Sequence, residues 1–156
     1  MPTFKRKVLA YLAHQGRLLV FRHRDFPEAG IQVPAGTLET GETPEQAVLR
    51  EATEKTGLSG LLIVRKLGEQ VLKMNDYGLD EIHHRYFFQL ICSAPPPETW
   101  THNEIHPSDG SPAPITLEFF WVKLPNDIPP LAGNQDKFLY RMIDFMIAEE
   151  TCYFKN

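Results

Sequence analysis

Glu51 and Glu54 stand three residues apart in the stretch REATEKTGL, residues 50–58, with Arg50 before them and Lys55 after. On a helix, residues three apart are neighbours, so both carboxylates reach one divalent cation. Mg²⁺ takes one or two carboxylates and completes its octahedron with water and substrate phosphate. The same spacing also allows a plainer reading. Glu51 and Lys55, four apart in the favourable order, form a surface pair that stabilises a helix by roughly 0.2–0.5 kcal/mol.

The segment around these residues is a helix by its own signals. Thr43 caps, Pro44 suits the first helical position, Gln46 completes a capping box, and Gly57 suits the left-handed stop. At about 100° per residue, Val48, Leu49, Ala52 and Thr56 fall on one side. Arg50, Glu51 and Glu54 fall towards the other, and Lys55 lies near the apolar edge.

Gly36-Thr37-Leu38-Glu39-Thr40-Gly41-Glu42 leads directly into that helix, and the whole stretch resembles the Nudix box. That pattern is G, five residues, E, seven residues, then R-E-U-x-E-E-x-G-U, with U aliphatic. Gly36, Glu42, Arg50, Glu51, Ala52, Glu54, Gly57 and Leu58 fall in register, and Lys55 replaces the last box glutamate. The resemblance implies a single domain over residues 1–156, an α/β fold of the Nudix type: an α/β/α sandwich with a mixed sheet between helices. It implies hydrolysis of a pyrophosphate bond in a nucleoside diphosphate linked to another moiety. Mg²⁺ or Mn²⁺ would be held by Glu51, Glu54 and the Gly36 carbonyl, with Arg50 and Glu42 orienting the loop and the carboxylates. A homodimer is a further expectation from relatives of this kind.

Lys55 depletes that ligand set. An ammonium about 6 Å from a divalent ion is repelled by roughly 5 kcal/mol at an effective dielectric near 20. Lys55 is therefore expected to turn away and pair elsewhere, with its stem along the apolar edge. Glu39, Glu104, Asp109 and Glu118 are the acidic residues that would complete the site. A catalytically weakened module that binds or senses a phosphorylated nucleotide is the alternative. A sanitising enzyme for damaged triphosphates would share the chemistry and differ in its base pocket.

Other residues are candidates for substrate contact. Arg22 and Arg24 alternate on a strand and can clamp phosphates bidentately. Trp100, in an otherwise polar loop, is preferred over Phe26 for stacking on a base. His83 and His84 point to opposite faces of their strand, and one of them is expected to line the pocket.

Around the box, VLAYLAH (8–14) and RLLVFRHR (17–24) read as a hairpin about Gln15-Gly16. Residues 58–74 offer one or two strands. EIHHRYFFQLIC (81–92) and ITLEFFWVKL (115–124) are strands, and 136–150 is a helix with Phe138, Leu139, Met142, Ile143, Phe145, Met146 and Ile147 on a wide apolar face. Residues 93–114, rich in proline, are expected to lack regular structure.

At 156 residues with 42% apolar and 23% charged content, the chain has the make-up of a folded soluble domain. Its net charge of −4 speaks against a broad nucleic-acid surface and leaves phosphate handling to local arginines or a divalent cation. Cys92 and Cys152 make no disulfide framework, as expected for a reducing cytoplasm. No run of ~18 apolar residues calls for a membrane span.

Overall fold

The structure, a computed structural model, describes residues 1–104 and 114–155. Chain order is β1 (Thr3–His14), β2 (Arg17–His23), β3 (Ala35–Thr37), α1 (Pro44–Thr56), β4 (Leu61–Lys73), β5 (Glu81–Cys92), β6 (Trp100–Glu104), β7 (Ile115–Lys123) and α2 (Leu139–Lys155). Gln15 and Gly16 both take positive φ, 51° and 71°, the two-residue hairpin turn whose twist matches the flanking strands.

The strands run in the order β4-β5-β1-β2-β7-β6, with β3 also on β1. The β1–β5 pair is parallel and the others are antiparallel, so the sheet is mixed. Both faces of β1 are covered, which is why its sequence is a continuous apolar run and not an alternation. Val8, Ala10 and Leu12 pack with Ala47, Val48 and Ala52 of α1. Leu9, Tyr11 and Ala13 pack with Leu139, Met142 and Ile143 of α2. An α/β/α sandwich results.

One irregularity of this sheet creates the functional space. β1 and β2 pair only at Ala13↔Leu18 and His14↔Arg17, beside their turn. Beyond that point β1 turns its edge to β3, through Lys7↔Thr37, Val8↔Gly36 and Leu9↔Ala35. β2 instead bridges Gln32 through Phe21. The two strands splay, and the short strand β3 carrying Gly36 enters the gap.

Two expectations need correction. Residues 100–104 form strand β6, paired with Ile115–Phe119 of β7. The prolines of that region flank these five residues and do not interrupt them, so an edge strand is free to form. The last helix starts at Leu139 and not at 136. Its buried stripe is Leu139, Met142 and Ile143, whereas Phe145 and Ile147 are 40% and 52% exposed, so the apolar face is narrower than its composition suggests. Of the one or two strands expected over 58–74, one forms, β4, and its register shifts twice against β5. Among the described residues, no helix is long and apolar enough to cross a membrane.

Candidate active site

Helix α1 is held at both ends as its sequence requires. Thr43 Oγ1 accepts from Gln46 N, and Gln46 Oε1 accepts from Thr43 N, at 3.1 and 3.0 Å. Gly57 closes it at φ 74°. The helix thereby presents Arg50, Glu51, Glu54 and Lys55 to the loop after β3.

Arg50 is the hub. Its Nε donates to Glu42 Oε2 at 2.7 Å, and its Nη2 to Glu42 Oε1 at 2.8 Å and to the Thr37 carbonyl at 3.0 Å. Its Nη1 donates to Glu51 Oε1 at 2.9 Å and to Glu54 Oε2 at 3.3 Å, with Glu39 Oε1 at 3.8 Å. The Arg50 hydrogen bonds hold the Glu42 carboxyl down at about 2. Those to Glu42 raise the already high Arg50 value further. Glu42 thus contributes stability that is fully present above pH 4.5 and lost as pH falls towards 2. Denaturation midpoints between pH 5 and 2 are expected to fall steeply in the wild type and less steeply in Glu42→Gln.

Glu51, on the polar side of the helical wheel, is nevertheless buried, because β3 lies over it. A Cβ on Gly36 would sit 1.9 Å from the Glu51 Cδ, so only glycine lets the backbone rest against this carboxylate. Burial pushes the Glu51 carboxyl above the ordinary range, against the pull of the Arg50 hydrogen bond and of Lys55. Gly36→Ala is expected to displace Glu51 and lower kcat about 100-fold, since misplacement of ~1 Å costs that much. Steady-state kinetics beside a far-UV spectrum would check that the fold is kept.

Lys55 turns away from Glu51 and Glu54 and pairs with Glu104 on β6, at 3.0 Å, both side chains largely enclosed. Of the four acidic candidates, Glu104 is therefore engaged by Lys55. Glu39 faces Arg50, and Glu118 pairs with Arg22 at 3.5 Å on β7. Asp109 lies outside the described residues.

Two cavities meet at the Lys55–Glu104 pair. A cleft of about 680 Å³ is lined by Thr37, Glu39, Arg50, Glu51, Glu54 and His102. A larger cavity of about 830 Å³ opens where β1 and β2 splay, walled by Phe21, Phe26, Met74, Tyr77, Leu79 and Ile115. Lys7, His83, Arg85 and Gly36 also line it.

Arg22 and Arg24 are not brought to either cavity. Arg22 lies over Phe120 and pairs with Glu118, and Arg24 pairs with Asp25. Trp100 stacks on Phe119 and donates to the Thr56 carbonyl at 2.8 Å, bracing the end of α1. Phe26, 56% exposed, is the aromatic that lines the large cavity. Of the paired histidines, His83 faces it, as does His23 of β2, whereas His84 stacks on Tyr86. Lys7 and Arg85 are cavity residues without a sequence signal. They share one register position of the parallel β1–β5 pair, legible only once that pairing is known.

Among the described residues, no group of three or more His, Cys, Asp or Glu has the spacing of a metal cage. The donor chemistry nevertheless fits Mg²⁺. Carboxylates of Glu51, Glu54 and Glu39 converge on one positively charged nitrogen of Arg50. They are hard oxygen donors, and Mg²⁺ requires only one or two of them.

This fold and glutamate cleft define a class met in other proteins. The chain belongs to the NUDIX domain family, whose pattern matches residues 3–141. An RNA pyrophosphohydrolase from Gluconacetobacter diazotrophicus is 39% identical over 69 residues, 39% of this chain. The match spans only 41% of that relative's length. Among solved structures, a MutT NUDIX hydrolase from Burkholderia pseudomallei superposes with a TM-score of 0.62 at 22% identity, covering 88% of this chain and 97% of its own. The E. coli ORF135 protein gives 0.63 at 15% identity and 94% coverage of both chains. A UDP-X diphosphatase gives 0.61 at 18% identity, over 94% of this chain and 66% of its own. These likenesses establish the α/β/α fold.

Proposed function

We propose that the chain is a metal-dependent pyrophosphohydrolase acting on a nucleoside diphosphate linked to another moiety. The observation that carries this reading is the buried Glu51 carboxylate, seated against Gly36 and sharing Arg50 Nη1 with Glu54 beside a ligand-sized cavity. Mg²⁺ or Mn²⁺ would be held by Glu51, Glu54 and the Gly36 carbonyl. When bound, it neutralises pyrophosphate oxygens and lowers the pKa of the attacking water.

The chain's own residues supply the rest. Arg50 fixes the Glu51 and Glu54 carboxylates and ties the β3 loop to α1 through the Thr37 carbonyl. Glu54, 60% exposed, stands at the mouth of the cleft, where it accepts the proton of the attacking water. Lys55, kept in an ion pair, borders both cavities and offers its charge to a bridging phosphate. Phe26 and Tyr77 form apolar walls for the attached moiety. Cys92 carries a free thiol, which suits a cytoplasmic enzyme.

The Lys55–Glu104 pair also favours a second reading, a module that retains its phosphorylated ligand without cleaving it. Phosphate release from nucleotides, dinucleoside polyphosphates and nucleotide sugars, with Mg²⁺, Mn²⁺ or chelator, separates the two. Chelator-sensitive turnover of any compound supports the hydrolase. Ligand-induced thermal stabilisation with no turnover across the set supports the binding module.

A further inference from the structure

Among the described residues, Arg85 is the one arginine lining the cavity, and it lacks what Arg50 has. Its side chain is buried, 5% exposed, on the floor of the 830 Å³ space. Nη1 donates to the Gly133 carbonyl at 2.8 Å, while the enclosed Nε has no hydrogen-bond partner among the described residues. The guanidinium lies 5.6 Å from the Phe87 ring centre. The carboxylates nearby are already engaged: Glu81 by Lys5 and His83, and Glu104 by Lys55. Lys7, its register neighbour, donates to Thr37 Oγ1 at 2.7 Å and to no acid among the described residues.

A buried charge is costly unless an opposite charge meets it. Burial depresses both the Arg85 and the Lys7 values, as it does where the fold brings no sufficient counter-charge. The guanidinium fork matches a carboxylate or phosphate, and its cavity-facing N–H groups and the neighbouring ammonium would bind one together. A purely structural brace for the Gly133 turn would use Nη1 alone and would not need Lys7 beside it.

We propose that Arg85 and Lys7 form a second anion subsite, so that the moiety entering the large cavity carries a carboxylate or phosphate of its own besides the pyrophosphate. The inference rests on the hydrolase reading for what occupies the neighbouring cleft, but not for the anion site itself. It narrows the substrates to nucleotide derivatives that are anionic at both ends of the bound portion, held between Phe26 and Tyr77.

The test is binding of inorganic phosphate and of acetate to the 156-residue chain in chelator. Without metal the glutamate cleft repels anions, so binding there reports on the cavity. Calorimetry gives the affinity, and the Arg85 Nε–H resonance in a ¹⁵N spectrum, assigned with Arg85→Lys, gives the place. The expected result is saturable binding of at least one anion with a shift of that resonance. Affinity should fall tenfold or more in Arg85→Gln, about threefold in Lys7→Gln, and not at all in Arg22→Gln. Phosphate alone, acetate alone or both would tell which anion the subsite takes. If Arg85→Gln does not fold, the wild-type resonance and Lys7→Gln still decide. An unmoved Arg85 resonance, or a variant that melts lower yet binds both anions as the wild type does, would overturn the proposal. Anion binding at Arg85 without turnover of any compound would instead remove the hydrolase reading and leave the subsite standing.

Discussion

Glu51→Gln is expected to lower kcat by about 10³-fold or more, because it removes a metal ligand and a negative charge at the reacting phosphate. Stability should move the other way. Burial raises the Glu51 value, so keeping it ionised costs more in the folded chain than in the unfolded one. Glutamine is neutral at every pH and keeps an acceptor for Arg50 Nη1, which now donates to Glu51 at 2.9 Å. In chelator, the variant should therefore melt at or above the wild-type temperature. Kinetics and thermal melts on one preparation check both halves. A variant that loses its fold along with its activity would mark Glu51 as a structural residue.

Lys55→Glu has the next largest effect, and its two parts oppose each other. In the metal-free protein the introduced carboxylate faces Glu104 across the 3.0 Å now bridged by an ion pair. Breaking an enclosed pair costs about 3 kcal/mol, or roughly 6–12 °C in melting temperature for a domain of this size. With Mg²⁺ the same substitution restores a carboxylate to the box and removes the competing ammonium. Half-saturating Mg²⁺ should fall about tenfold or more. Metal at 100 times its dissociation constant returns about 2.7 kcal/mol of stability, offsetting most of the loss. Melts in chelator and in Mg²⁺, with a Mg²⁺ titration of the rate, measure each part. An unchanged Mg²⁺ requirement would show that Lys55 has no bearing on the metal cleft.

How far such a site is legible in the sequence depends on the distance over which each residue acts. The box is local: Thr43, Gln46 and Gly57 cap their own helix, and Arg50 reaches Glu42 only eight residues away, so spacing suffices. The turning-away of Lys55 followed from electrostatics, but its partner did not. Glu104 comes from an edge strand 49 residues later, in a stretch whose prolines concealed that strand. The wheel put Glu51 with Arg50 and Glu54 but could not show its burial, because helical periodicity knows nothing of the β3 backbone that covers it. Arg22 lies opposite Glu118 on β7, and Arg24 falls one residue past the end of β2 beside Asp25, so the alternation expected of the pair is cut short and neither lines the cavity. Trp100 sits in a polar stretch and packs inward because Phe119 lies opposite it on β7. The cavity itself follows from the early parting of β1 and β2, a consequence of which strand claims each edge.

The most direct test of the central claim is a single-turnover reaction in ¹⁸O-labelled water with Mg²⁺ titrated from chelator to saturation. The substrate would be the nucleotide derivative turned over best. The expected result is a rate that vanishes in chelator, rises with Mg²⁺, and places one ¹⁸O in one of the two phosphate-bearing products, as water attack on phosphorus demands. A rate independent of metal, or label recovered on carbon, would contradict it.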